Sequence, residues 1–164
     1  MSTLLWAVAG NDTRRDSQAE YRGCLDIVPF EAWHFTRFQL RSEQEIVAVD
    51  MTPAYCQSLA AAGEAFSAWV GPDLIAAAGV IHFWPGRAQV WAMMSWRLPQ
   101  YGGLIHRHVK RYIQQHPVAR LECVIDPRFP KSEEWAKRLG FKYESTMRAY
   151  GLHGQDMDMY VKHG

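Results

Sequence analysis

The chain has 164 residues, 48% of them hydrophobic and 21% charged, which suits one globular domain and excludes disordered or collagen-like architectures. Eighteen Lys and Arg residues balance seventeen Asp and Glu residues, and a net charge of +1 argues against binding to nucleic-acid phosphates. No apolar run approaches the ~20 residues needed to cross a bilayer, and the opening apolar patch is too short for an export signal. Three scattered cysteines, Cys24, Cys56 and Cys123, indicate free thiols in a reducing compartment, so we expect a cytoplasmic protein.

The first part of the chain, beyond its opening apolar patch, is polar. Residues 10–23 are charged and show no apolar period, so we expect residues 1–24 to be a mobile leader before a single domain at 25–164. The apolar run at 25–29 predicts a first strand. Four aromatic residues then recur at a spacing typical of a buried helical stripe: Phe30, Trp33, Phe35 and Phe38.

Two helix starts follow. A Ser-x-x-Glu capping box over 42–45 predicts a short helix at 43–49, because each side chain can satisfy the other's free backbone N–H. Thr52, followed by a proline at the first helical position, predicts a second helix over 53–62. We expect Gly63 to end that helix in the left-handed conformation.

The remaining signals predict a sheet with crossover helices. Short turns separate three apolar strands at 65–70, 74–84 and 88–96, which form an antiparallel meander. The second half of the chain then predicts a helix between the Gly102-Gly103 pair and His116, a strand at 121–125, a helix from Ser132 to Gly140, and strands at 142–152 and 157–162. This order predicts an α/β or α+β domain, with a mixed, mostly antiparallel central sheet of about six or seven strands and helices on both faces.

The C-terminal stretch carries a resemblance to a known family. Residues 134–141 (Glu-Trp-Ala-Lys-Arg-Leu-Gly-Phe), the polar turn at Gly154 and the closing strand 157–161 are similar to the GNAT (GCN5-related N-acetyltransferase) family. With the succession of elements, the resemblance covers residues 25–163. The tryptophan-bearing strand at 88–95 also resembles small GNAT-like proteins of tailed phages.

The resemblance implies acetyl-CoA as co-substrate, bound in a cleft between the fourth and fifth strands, and no metal. It implies that a Gly-rich loop at 100–105 holds the pyrophosphate on backbone N–H groups. Gln100 and Gly103 match the family pattern and Ile105 departs from it. Amides near the end of the third meander strand would polarise the thioester carbonyl. The implied cofactor-binding residues are Met94, Ser95, Trp96, Gln100, Tyr101, Gly102, Gly103 and Leu104.

The catalytic positions of the family are altered in this sequence. Ala136 stands where many members carry a tyrosine that protonates the CoA thiolate, the strand at 88–96 has no carboxylate, and the loop at 128–130 lacks the family's asparagine. His82 is a candidate general base because it is the titratable side chain within its apolar strand; the alternative is a rim histidine bonded to backbone. Tyr150 is a further candidate, with a structural role as its alternative.

Two functions therefore remain open. The first is an acyl-CoA-dependent N-acyltransferase that moves an acetyl group to a primary amine, with acyl-CoA and a small amine or a protein amine as partners. The second is a catalytically inactive GNAT-fold interaction or assembly protein, as in phage virion morphogenesis. A homodimer or a virion protein remains open as well, and the location is then the host cytoplasm or the virion. We expect no nucleic-acid or membrane partner.

Overall fold

The computed structural model describes residues 25–38 and 51–164. The predicted leader at 1–24 and the predicted short helix at 43–49 lie outside these described residues. None of the described helices is long and apolar enough to cross a membrane.

The described strands form one seven-stranded sheet. Their spatial order is β1-β2-β3-β4-β5-β7-β6, in which β4 and β5 are parallel and the other five neighbouring pairs are antiparallel. The prediction of a mixed, mostly antiparallel sheet is confirmed. The strands are β1 (Leu25–Pro29), β2 (Ala65–Val70), β3 (Asp73–Trp84), β4 (Arg87–Met94), β5 (Arg120–Ile125), β6 (Lys142–Met147) and β7 (Met157–His163).

Helices cover both faces of this sheet, as predicted. The described helices are a 3₁₀ helix (Ala32–Arg37), α1 (Pro53–Ala61), α2 (Leu98–Gln115) and α3 (Pro130–Leu139). Successive side chains of a strand point to opposite faces. In β4, Ala92 and Met94 belong to the core shared with α2 and α3, whereas Trp91 and Met93 belong to the core shared with α1. The sheet is therefore the middle layer of three.

The ends of α1 and α3 follow local signals. The Thr52 hydroxyl accepts a hydrogen bond from the backbone N–H of Tyr55 at 3.2 Å, so the predicted N-cap of α1 is confirmed. Gly140 adopts a φ of 98° after α3, and the N–H of Phe141 bonds back to the carbonyl of Ala136 at 3.1 Å. This left-handed ending is the predicted one.

Gly63 has a different role from the predicted one. It is absent from the described residues with positive φ, so it does not supply a left-handed stop. A Cβ built on Gly63 would lie 2.2 Å from the carbonyl oxygen of Val80. The glycine is therefore required because the chain after α1 passes directly against β3.

Two further predictions are wrong in detail. The aromatic stripe after β1 is a six-residue 3₁₀ helix, and its Trp33 is 51% exposed instead of buried. The strand predicted over 142–152 ends at Met147. Beyond it, the side chain of Asp156 accepts a hydrogen bond from the N–H of Ala149 at 2.9 Å, and this holds the chain in a turn.

An ion cluster joins the first residues of β4 and β5. The Glu122 side chain is 1% exposed and accepts two hydrogen bonds from the Arg87 guanidinium, at 2.8 and 3.0 Å. It also accepts one from Arg120 at 2.5 Å, and Arg120 in turn pairs with Glu144. Burial alone would raise the pKa of Glu122, but the bonds from the two arginines outweigh it and hold the pKa below its ordinary value.

We expect Glu122→Gln to lower the free energy of unfolding by about 2 kcal/mol at pH 7, because two guanidinium groups lose a buried anionic partner. The folded-state pKa of Glu122 lies below the unfolded value, so its contribution is present above about pH 4.3 and is lost as the pH falls through the folded pKa. Urea unfolding between pH 3 and 7 measures both effects. Glu144→Gln, at a more exposed site, is the control and should lower the free energy of unfolding by less than Glu122→Gln does, because solvent screens exposed ion pairs.

Candidate functional site

The fourth and fifth strands part soon after they meet. Their ladder has three residue pairs, which join 87–89 of β4 to 120–122 of β5. Beyond this ladder β4 continues to Met94 and β5 continues to Ile125 with no pairing between them. A wedge-shaped gap therefore opens between the two strands toward their C-terminal ends.

Backbone groups of β4 face this gap. The N–H of Ser95 donates to the carbonyl of Ile75 in β3 at 2.8 Å, and the N–H of Arg120 in β5 donates to the carbonyl of Gly86 at 2.9 Å. Hydrogen-bonding direction alternates along a strand. Both bonds therefore place the N–H and C=O groups of Ala92 and Met94 on the β5 side, where the ladder no longer supplies partners. Residues 94–96 are the ones whose amides were expected to polarise the thioester carbonyl. Of these, Ser95 already bonds to β3, so the amide that lies along the gap is that of Met94.

The chain passes from β4 into α2 without the predicted loop. The Ser95 hydroxyl accepts a hydrogen bond from the N–H of Arg97 at 3.2 Å, and its carbonyl accepts one from Leu98 at 3.0 Å. The N–H of Gln100 bonds to the carbonyl of Arg97 at 3.1 Å. The prediction of a phosphate-binding loop at 100–105 is therefore wrong, because these residues are already helical. The amides of Leu98 and Gln100 at the helix start also have partners within the chain.

Two glycines on α2 have no local structural requirement. Gly102 and Gly103 lie inside the helix, and neither is among the described residues with positive φ. A Cβ built on either one has no atom within 4 Å. Glycine costs about 0.5–1 kcal/mol relative to alanine in a helix, and packing does not explain that cost here. Both glycines instead line a cavity, where a side chain would occupy ligand space.

That cavity has a volume of about 420 Å³ and lies between α2 and α3. The α2 side is formed partly by the two glycines and His106. The α3 side carries two cationic side chains, Lys131 and Arg138, and one carboxylate, Glu134, which pairs with Arg138 at 3.8 Å. The cavity therefore combines a surface open to close approach with a net positive charge, which suits a phosphate-bearing ligand.

A hydrogen bond between the two helices orients His106. The indole Nε1–H of Trp135 donates to His106 Nδ1 at 3.0 Å, so this nitrogen is an acceptor. Burial, together with the nearby charges of Lys110 and Arg138, lowers the pKa of His106. The imidazole is thus held in its neutral form on the cavity wall.

A buried carboxylate follows β5, beside the gap. Asp126 is fully buried and accepts hydrogen bonds from the backbone N–H of Arg128 at 2.9 Å and from its guanidinium at 2.5 Å. These bonds raise the pKa of Arg128. Both carboxylate oxygens of Asp126 therefore accept hydrogen bonds from the guanidinium of its neighbour in the loop.

One of the two predicted catalytic residues, His82, lies at the closed end of the β4–β5 ladder. His82 pairs with Ala88 at the closed end of the ladder, whereas Met94 lies six residues further along β4, or roughly 20 Å. The His82 ring stacks on His116 with centroids 5.5 Å apart. Tyr150 is 44% exposed in the connection between β6 and β7. The structure does not bring His82 to the parted strands.

The predicted cofactor residues divide into two groups. Gly102 and Gly103 line the cavity, and Met94 borders the gap. Ser95 and Trp96 form the junction before α2, while Gln100, Tyr101 and Leu104 lie on α2 outside the cavity lining.

Three cavity residues were not singled out from the sequence as a site: Lys131, Trp135 and Arg138. The cavity is formed by two helices separated by β5, so a ligand-binding cluster is not visible as a local motif. The two basic residues are seven apart on α3, or about two helical turns, and therefore share one face. That spacing was the available signal.

Comparison with solved structures identifies the architecture. The N-acetyltransferase from Staphylococcus aureus Mu50 matches with a TM-score of 0.65 at 12% identity, over 85% of this chain and 97% of that chain. The acetyltransferase of the GNAT family from Bacillus anthracis matches with a TM-score of 0.60 at 13% identity, over 89% and 96%. The chain has the GNAT fold. No family model and no curated protein sequence matches it.

A third match bears on ligands of the GNAT fold. The ribosomal L7/L12 alpha-N-protein acetyltransferase, solved in complex with coenzyme A, matches with a TM-score of 0.59 at 12% identity, over 88% of this chain and 96% of that chain. Identities this low establish the fold and leave the chemistry to be argued from the residues of this chain.

We expect Trp135→Phe to raise the pKa of His106 toward its ordinary value of about 6.5. The lost indole N–H stabilises the neutral imidazole, so its removal favours protonation. NMR titration of the histidine ring protons measures the change, and His108, which does not line this cavity, serves as the internal control. An unchanged His106 pKa would show that the bond between the helices does not form in solution.

Proposed function

We propose that this protein binds an acyl-CoA between β4 and β5 and transfers the acyl group to a primary amine of a small molecule or protein. The observation that carries the proposal is the three-pair ladder between these strands, which leaves backbone groups of Ala92 and Met94 facing a gap. A buried backbone group without a partner is costly, and the amide groups of a pantetheine arm can satisfy such donors and acceptors.

The residues of the α2–α3 cavity fit the phosphates of CoA. Gly102 and Gly103 allow the ligand to approach the helix backbone closely. Lys131 and Arg138 supply positive charge on the opposite wall. When bound, acyl-CoA supplies an acyl group activated as a thioester. The N–H of Met94 would donate to the carbonyl oxygen as negative charge develops on it.

In the proposed reaction the amine nitrogen attacks the carbonyl carbon directly. The new C–N bond forms as the C–S bond breaks, the amine nitrogen passes one proton to water, and the departing CoA thiolate takes up one proton from water to become the thiol. Neither of two family groups that handle protons is retained: Ala136 replaces the tyrosine, and β4 has no carboxylate. Water is therefore the proposed proton acceptor, which predicts a modest rate.

The same substitutions favour a second candidate function. A GNAT-fold protein that binds CoA or a protein partner without catalysis would also tolerate Ala136 and a strand β4 without a carboxylate. Such a protein would act as an interaction or assembly module. Binding and turnover must therefore be measured separately.

We expect CoA at about 100 times its Kd to stabilise the protein by about 2.7 kcal/mol, which raises the melting temperature by several degrees. Arg138→Ala should weaken CoA binding about tenfold, since a charge-assisted contact is lost. Lys137→Ala is the matched control, because Lys137 lies on the same helix and pairs with Glu133 outside the cavity. If CoA causes no shift, or if both variants bind CoA equally, the proposed site is incorrect.

We expect release of free CoA thiol from acetyl-CoA in the presence of a panel of primary amines, measured with a thiol reagent. His82→Ala should leave the rate unchanged, because His82 lies roughly 20 Å from Met94 along the strands. A large loss of rate in His82→Ala would contradict this placement of the site. CoA binding without thiol release would instead support the second candidate function.

A further inference from the structure

A second cavity lies on the other flank of α2, between this helix and the sheet. Its volume is about 240 Å³, and it is lined almost entirely by apolar atoms. Two partly exposed residues, Ile27 and Phe66, are among its lining residues, as are Val109 and Tyr112 of the helix. Among the described residues, no Asp, Glu, Lys or Arg lines it. The chemistry of the walls therefore excludes a phosphate and favours a hydrocarbon.

Four alanines create this space. Ala68 of β2 pairs with Ala76 of β3, and Ala78 of β3 pairs with Ala92 of β4, so all four methyl groups lie on one patch beneath α2. Alanine is depleted in strands, where larger branched residues usually fill the face against a helix. An apolar cavity of ~150 Å³ is enough to bind benzene, and this one is larger.

The apolar cavity adjoins the proposed CoA site. Ile105 lines both the 240 Å³ cavity and the 420 Å³ cavity, so this one residue of α2 contributes to both walls. Met94 lines the apolar cavity as well, and its backbone borders the gap between β4 and β5. A hydrocarbon chain that begins at the Met94 amide therefore has an apolar space beside it, directly under α2.

The two hydroxyl groups of the lining bond to other partners, whereas the lining residue Trp91 has a buried indole Nε1 without a hydrogen-bond partner among the described residues. The Tyr112 hydroxyl donates a hydrogen bond to Glu64. The Ser67 hydroxyl bonds to His34 at 2.9 Å. Neither hydroxyl requires a polar ligand, and burial of a hydrocarbon would leave these bonds intact.

We propose that the apolar cavity receives the acyl chain of the CoA thioester, and that the preferred donor is a straight-chain acyl-CoA of medium length instead of acetyl-CoA. This inference rests on the proposed function, since it assigns the donor class for the same site. Scaled from the ~150 Å³ that holds six-carbon benzene, the volume of about 240 Å³ holds up to about ten carbons, which is enough for an octanoyl chain and too little for a dodecanoyl chain.

The test compares CoA, acetyl-CoA, hexanoyl-CoA, octanoyl-CoA and dodecanoyl-CoA by isothermal titration calorimetry with the full chain. Each buried methylene should lower Kd about threefold, so octanoyl-CoA should bind at least ~100-fold more tightly than acetyl-CoA. Dodecanoyl-CoA should gain nothing further, because its chain exceeds the cavity. Equal Kd values across the series, with CoA itself bound, would overturn the inference and leave the proposed function standing. Failure of CoA to bind would overturn both.

Two variants with opposite expected effects test whether the acyl chain binds in the apolar cavity. Ala78→Leu fills part of the space. It should reduce the ratio of the Kd for acetyl-CoA to the Kd for octanoyl-CoA at least tenfold, while the Kd for CoA stays unchanged. Val109→Ala enlarges the space and should extend the tightest binding to a chain one or two carbons longer. Ala54→Leu, on the exposed start of α1, is the control for added volume and should have no effect. A chain-length preference unaltered in both cavity variants would show that the acyl chain binds elsewhere.

Discussion

The short ladder between β4 and β5 is the constraint on which the site depends. These strands are parallel neighbours in the middle of the sheet, yet they pair over three residues. At the last of these pairs lies Glu122, buried between two guanidinium groups that join the two strands at their closed end. Beyond that point the backbone of β4 turns polar groups toward a gap, so one anchored junction defines where a ligand can enter the sheet.

Helix α2 organises the space on both sides of this gap. One flank carries Gly102 and Gly103 toward α3, and the other lies over four alanines of the sheet. Ile105 forms part of both cavity walls, so small residues above and below a single helix create two binding spaces of different chemistry. The first suits phosphates because it is open and cationic, and the second suits hydrocarbon because it is apolar.

The fold and the proton-handling chemistry are separable in this molecule. The sheet has the GNAT fold, while Ala136 is fully buried at the position where the resemblance places the tyrosine of many family members. The buried carboxylate of Asp126, which follows β5, pairs with Arg128. Because a fold positions a site without supplying its chemistry, ligand binding can persist when catalytic groups are replaced.

Local signals were sufficient where the interaction itself is local. Thr52 capped α1 as expected, and Gly140 ended α3 as expected, because both contacts form within one helical turn. The sequence misplaces the start of α2, because the Gly102-Gly103 pair predicts a boundary inside the helix. Ser95, the residue after β4, sets the start instead because it accepts hydrogen bonds from Arg97 and Leu98.

The sequence by itself determined the order of elements, the mixed sheet and the absence of three groups that the resemblance implies for catalysis, because periodicity, caps and residue identity are properties of neighbouring residues. Tertiary structure alone decided where β4 and β5 part, that His82 lies at the closed end, and that Lys131 and Arg138 face two glycines across a cavity. These features depend on contacts between residues far apart in the chain. The separation of such residues along the sequence does not give the distance between them in space.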